Sequence, residues 1–514
     1  MIKIEKAPEG AYLSDQYDVF VKKEGTECAV DAYLALVSEG NGLHKIPDEL
    51  RKEFDEIEEA SFVTKGALAL FEADEEVCVT VRVSQSTEII EVMDKPFERS
   101  GDRVSFLMKP GEVATVKVNG LFDHCLRVIC NTISVPKKDN ENFIEFKPGY
   151  YSIENCEYIT AGKKGFPVIA DIPDNTTIYI HYGAVVNAAF VLENKRHIKI
   201  CGGGIISTME RCYGADVDFE KTPLYGPLRR YAYPSVFIKT NSSHITVEGV
   251  TLNSEFRGVV IRNSEDVAIS NIKVFTNCIN ADGINLMNAR RIKIEDSFIH
   301  SHDDGVAVFT SCDSILYLGD EECENPLPVS SDIEVANCEI TTTCRPFVIG
   351  GHATGGVAPH DRVERFYAHD SKVINYRYYD FPETERVKKW SGFLRILSQT
   401  EQLISDIRFQ NIRCVKRTDY EGQPIHIELR GSNGASYSER GGYRIEKLMF
   451  DNIFFQEQTE IDLPSAIYNT ADNTQEDYCV DGVVFKDVYF GSTKMENTEK
   501  YLEKIGVGKN ILVQ

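Results

Sequence analysis

Basic residues are scarce in this chain: 56 Lys and Arg stand against 80 Asp and Glu in 514 residues, a formal charge of −24. That balance argues against nucleic acid or an anionic membrane as partner, since such binders carry clustered Lys and Arg. It also disfavours a polyanionic substrate. No stretch approaches the roughly 18 unbroken apolar residues of a membrane span, so a soluble protein with no membrane partner is expected. The first residues, MIKIEKAPEGAYLSDQYDVF, lack a basic start followed by an apolar run, and no secretion signal is read there. The 14 cysteines contain no CxxC pair and no zinc spacing. Scattered thiols in that setting read as reduced and buried, and the expected location is cytoplasmic. CGGGI at 201–205 lacks the strand, GxGxxG and helix of a nucleotide loop, so no cofactor is expected.

What is present is β-structure. Residues 1–144 alternate apolar and polar positions, as in VCVTVRVSQSTEIIEV and ATVKVNG, between turns rich in Gly, Asp and Pro. A period of two means strands with one buried face, most simply an antiparallel sandwich. One stretch there, ELRKEFDEIEEASF, could form a short helix.

From 145 to 514 a different phrase recurs: apolar-x-apolar-x-(Gly/Asn/Asp), then further apolar residues. Copies begin at Ile198, Ile245, Val267, Ile292, Ile333, Phe366, Ile407, Leu448 and Val483. Self-similarity at 20 to 50 residues marks a stacked repeat. A leucine-rich repeat would need a Leu lattice that is missing. A propeller blade would need four strands in a 22-residue unit, too few for ordinary strand lengths. The fold class expected is therefore all-β: a right-handed parallel β-helix preceded by an N-terminal β-sandwich. A residue tolerant of left-handed backbone belongs at each corner of such a helix.

A second short strand follows in several coils: RGVVI from Arg257, DGINL from Asp282, DGVAV from Asp304 and RPFVI from Arg345. Stacked coils lie about 4.8 Å apart, so Arg257, Asp282, Asp304 and Arg345 are expected to form one outward, solvent-facing column with Asp303 beside it. A single Asp-Gly is usually a turn. Two in register, plus a third carboxylate, point to general acid and base work or to a cation. Calcium would gather six or more oxygens, and no further acidic loop repeats around these positions, so no metal is expected. Cleaving an acetal requires one carboxylic acid and one carboxylate. Asp303, off the aligned pair, is the candidate acid; Asp282 and Asp304 are the candidate bases. Arg257 and Arg345 flank them as candidate substrate contacts. His302 is more often structural in such a setting but is kept as a groove residue, and Trp390 is kept as a candidate to stack on a sugar ring, with packing of a large aromatic an equal alternative.

At this point the chain resembles the clan of inverting glycoside hydrolases that includes polygalacturonases (family 28) and dextranases and isopullulanases (family 49). The resemblance rests on NADG at 280–283, HDDG at 302–305, GGH at 350–352 and RI at 395–396. It implies a β-helix, Asp303 as general acid, Asp282 with Asp304 activating water, and His352 and Arg395 as supporting residues near the cleaved bond. The lysine that follows the Arg-Ile pair in galacturonases is Leu397 here, and the second glycine of Gly-His-Gly is Ala353. With the acidic charge, this tilts the expected substrate toward a neutral, α-glucan-like oligosaccharide or glycoside. A pectic hydrolase, a polysaccharide lyase and a non-catalytic carbohydrate-binding helix are the alternatives, and assembly into a homo-oligomer is left open.

Overall fold

The computed structural model describes residues 1–23, 25–38, 44–45, 59–60, 63–84, 89–119, 121–162, 165–209, 233–276, 281–310, 329–342, 344–351, 361–375, 392–398, 401–416, 423–430, 442–456, 464–470, 478–506 and 508–514. His352, Trp390 and Asn280 lie outside them, as does most of the stretch expected to be helical, whose described end, Glu59–Ala60, is a short strand.

The N-terminal part is a sandwich of a six-stranded and a five-stranded sheet, antiparallel except where Leu121–Thr132 runs parallel to Val63–Ala73. Alternation decides its inside: in Val77–Val83 the odd-numbered valines are buried, and Val79 and Val81 have no exposed surface. The passage to the second architecture falls between Thr132 and Asn142, where the first strand of a long parallel sheet begins.

That second part is a right-handed parallel β-helix. One long sheet has 20 described strands and the other has 12. The repeated phrase is its ladder. Ile198 pairs with Ile245, and the register runs on through Val267, Ile292, Ile333, Phe366, Ile407, Leu448 and Val483 without a slip. All nine side chains are at most 2% exposed, and burying each stabilises the fold by about 1.5–3 kcal/mol. Four residues further on, every copy reaches a corner of positive φ: Gly202 and Gly249 in the first two, then Asn271, Asp296, Asn337, Asp370, Asn411, Asn452 and Asp487, which lie between 51° and 54°. Asparagine and aspartate tolerate that conformation, and here they also bond along the stack, Asn411 Nδ2 to Asp370 Oδ1 at 2.8 Å and Asn452 Nδ2 to Asn411 Oδ1 at 2.9 Å. The corner residues thus satisfy backbone geometry and tie neighbouring coils.

The sandwich is fixed to the helix by a shared apolar layer, Tyr33, Leu68, Leu70 and Ile129 against Tyr182, Val185, Ile205, Phe275 and Phe298. Polar groups cross the same seam: Lys273 Nζ donates to Asn131 Oδ1 at 2.8 Å, and Tyr182 Oη donates to the Leu70 carbonyl at 2.7 Å.

Candidate active site

The 12-stranded sheet carries the site. Val259–Arg262, Ile284–Met287, Val306–Phe309 and Phe347–Gly350 pair in parallel as Val259↔Ile284↔Val306↔Phe347. Two residues earlier in each coil this register places Arg257, Asp282, Asp304 and Arg345 in one column, the order expected from the sequence. The glycine after each aspartate has a steric reason. A Cβ on Gly283 would lie 2.3 Å from Ile299 Cγ2 and 2.6 Å from the Gly305 carbonyl oxygen, and one on Gly305 would meet Ile340 and the Pro346 carbonyl as closely. The coils approach too tightly there for any side chain.

The column is charge-paired. Arg345 forks onto Asp304, with Nε 2.7 Å from Oδ1 and Nη2 3.1 Å from Oδ2, and the same Nη2 is 4.0 Å from Asp303 Oδ1. Arg257 Nη2 lies 3.6 Å from Asp282 Oδ2. Asn285 Nδ2 donates to that same oxygen at 2.5 Å. Asp303 receives no such fork; its Oδ1 accepts the backbone N–H of Asp304 at 3.0 Å.

The expectation of a solvent-facing column is corrected. Asp282, Asp303 and Asp304 are only 5%, 8% and 5% exposed, because guanidinium partners and turn residues crowd their oxygens. Burial changes the electrostatics more than stacking alone would. It raises the Asp303 carboxyl to about 7, with the Asp304 and Asp282 charges adding to the rise and Arg345 opposing it. Burial likewise raises Asp282, against the pull of Arg257, with Asp304 raising it further and the Asn285 bond lowering it. An acid near neutrality beside a carboxylate locked to arginine is the acid/base asymmetry that acetal cleavage needs.

Buried hydroxyls hold the turns on which these side chains ride. Thr276 Oγ1 donates to the Ala281 carbonyl at 2.5 Å and accepts from the His302 N–H at 3.4 Å. Ser301 Oγ donates to the Asp303 carbonyl at 2.8 Å; Thr342 donates to the same oxygen and accepts from the Cys344 N–H at 2.9 Å. Thr276, Ser301 and Thr342 end equivalent strands of neighbouring coils. Their signal in the sequence is a hydroxyl at the end of each such strand, visible once the coils are aligned.

Other candidates separate. Arg395 lies on Gly392–Ser398, in register with Val348 and His426 and 2% exposed. Between the aspartates and Arg395 lies an apolar floor of Met287, Ala307, Phe309 and Val348. His302 has no exposed surface and stacks on His300, so its expected role in the groove does not fit its burial. Beyond Arg395 the sequence reading missed a polar row in IHIELR: His426, Glu428 and Arg430 alternate along Gln423–Leu429 and past its end. Arg430 forks onto Glu428 at 2.8 and 2.7 Å, and His426 Nε2 is 3.1 Å from Glu428 Oε2. Although burial opposes it, the bonds from His426 and Arg430 lower the Glu428 carboxyl well below its ordinary value. Register sets Glu428 beside Leu397, the position where galacturonases carry lysine.

As a metal site, Asp303, Asp304 and Cys344 could each offer a ligand atom within 4.8 Å of the others. Arg345 already spans both Asp304 oxygens, and burial pushes the Cys344 thiol well above its usual range. The guanidinium thus already occupies the face that Asp304 would offer to a cation.

Residues 228–499 match the model of "Glycosyl hydrolases family 28". The chain belongs to glycosyl hydrolases family 28. Among curated relatives, the chain is 23% identical over 333 residues to "Probable exopolygalacturonase B" of Emericella nidulans, covering 62% of this chain and 66% of the relative. The same-named protein of Neosartorya fischeri is 22% identical over 295 residues, 55% of this chain and 57% of the relative. The matches thus span less than two thirds of these relatives' lengths. Among solved structures, Dex49A from Penicillium minioluteum is similar with a TM-score of 0.57 and 13% identity, covering 100% of this chain and 96% of that one. Its likeness extends to the whole architecture, sandwich and helix together.

Proposed function

We propose that this family 28 chain hydrolyses a glycosidic bond with inversion, Asp303 protonating the leaving oxygen while Asp282 and Asp304 orient and deprotonate the attacking water. The observation that carries this is the cluster of three buried carboxyls in which Arg345 forks onto Asp304 while Asp303, without such a fork, is raised by burial. A group that must be protonated to act gives a falling limb in kcat/KM near its pKa. The expected profile therefore declines above about pH 7 with an apparent midpoint near that value. A profile flat to pH 9 would remove Asp303 from the acid's role.

The substrate proposed is a neutral glycan. Leu397 where galacturonases carry lysine, Glu428 beside it and the net charge of −24 all work against a uronate carboxylate. Arg430, in the same row, is bound to Glu428. A pectic substrate is the second reading, favoured by the names of the curated relatives and by the guanidinium groups of Arg257, Arg345 and Arg395 in the site. A matched panel of neutral and uronate oligosaccharides, with NMR of the first-formed anomer, separates the two. Turnover of neutral chains alone is expected, and preferential turnover of galacturonides would transfer the assignment to the pectic class. An unsaturated product absorbing in the ultraviolet would mark a lyase instead. Ten cysteines among the described residues form no disulfide, which supports a reducing compartment and hence short, imported substrates.

A further inference from the structure

The wall behind Asp303 is built partly by the other domain. In the strand Phe298–Ser301, alternation sends Phe298 and His300 toward the sandwich, where Phe298 joins the shared apolar layer. Facing His300 is Arg127, on Leu121–Thr132, between the core residues Leu126 and Val128. Arg127 is 2% exposed, and its Nη2 is 2.6 Å from His300 Nδ1. A guanidinium can only donate, so Nδ1 accepts and the ring proton of a neutral His300 sits on Nε2. The His300 ring stacks on that of His302, with centroids 5.8 Å apart and planes 25° apart. His302 immediately precedes Asp303, and its N–H is held by the Thr276 hydroxyl that also holds the carbonyl preceding Asp282.

This is an unbroken run of enclosed groups from the sandwich to both catalytic turns. Burial, reinforced by the Arg127 charge, lowers His302 to about 3 and His300 well below its ordinary value, so both rings are neutral at working pH and add no positive charge beside the acid. Among the described residues, the charged and titratable groups around the run are Arg127 with Cys125 and Tyr17 on the sandwich side, and Asp304, Asp282, Arg345 and Cys344 around Asp303.

We propose that Arg127 of the N-terminal sandwich is a positioning residue for Asp303, acting through the His300–His302 stack, so that the sandwich is a working part of the active site. The proposal rests on the reading of Asp303 as general acid.

The test uses the full chain with Arg127→Met, Arg127→Lys and His300→Gln. A sub-ångström to ångström shift of a catalytic group costs as much as about 10²-fold, so Arg127→Met is expected to lose tenfold or more in kcat with KM nearly unchanged. Its falling pH limb should move down, because water and protonatable histidines admitted beside Asp303 favour the carboxylate. Arg127→Lys, retaining charge and a donor, should recover most of the rate, while His300→Gln should reproduce the limb shift. If Arg127→Met folds, by circular dichroism, and keeps wild-type kcat and limb, the proposal falls. It falls equally if stability drops but the folded fraction turns over with the wild-type limb. Should Arg127→Met fail to fold, an unmoved limb in His300→Gln overturns the proposal. Asp303→Asn assayed alongside keeps the two levels apart, since an active Asp303→Asn refutes the reading of the acid and leaves Arg127 with nothing to position.

Discussion

Asp303→Asn is expected to lose turnover of an oligosaccharide by about 10³-fold, within the range for removing a positioned general acid. On a nitrophenyl glycoside the loss should be far smaller, because that leaving group departs without a proton. The same variant should be more stable than the wild type in alkaline buffer. Asp303 is held at about 7 in the folded chain against 3.8 for an ordinary aspartate. A carboxyl raised on folding contributes stability that is present below the lower value and lost as pH climbs through the higher one. Above pH 7 the wild type therefore carries a penalty on the order of 4 kcal/mol at full burial, which Asn avoids, while near pH 3 the two should converge. Rates on both substrate types, with denaturation midpoints at pH 4 and pH 8.5, check this. Wild-type turnover of the oligosaccharide would end the assignment.

Arg345→Met should cost both activity and stability. It strips the fork from Asp304, leaving a buried carboxylate without its partner, and breaking a buried pair from one side costs about 3–5 kcal/mol. Asp304 would no longer be aimed, so kcat should fall about 10²-fold, in the manner of a misplaced catalytic group. Arg345 also opposes the rise of Asp303, so removing it should carry the falling pH limb upward, opposite in sign to Arg127→Met. The double variant Arg345→Met/Asp304→Asn should regain much of the stability without regaining rate, since no unpaired charge then remains. A midpoint and pH limb unchanged in Arg345→Met would show that the fork does neither job.

The apolar-x-apolar-x-(Gly/Asn/Asp) phrase by itself determined the helix, because a parallel stack repeats each residue's surroundings every coil and so writes its ladder into the sequence. Ile198 to Val483 and the Asn and Asp corners could be aligned by eye, and the column Arg257, Asp282, Asp304, Arg345 followed from the same period. Burial could not be read this way. It depends on what crosses over a coil, and nothing near Asp303 in sequence says that its carboxyl is enclosed and raised. The Arg127–His300 contact spans 173 residues and two domains, so no local pattern announces it. The row His426, Glu428, Arg430 alternates visibly, yet only the register that sets Glu428 beside Leu397 gives it meaning for substrate charge. Periodicity placed the aspartates together; only the tertiary structure buries them and raises Asp303 and Asp282, because desolvation and partner charges act through space and not along the chain.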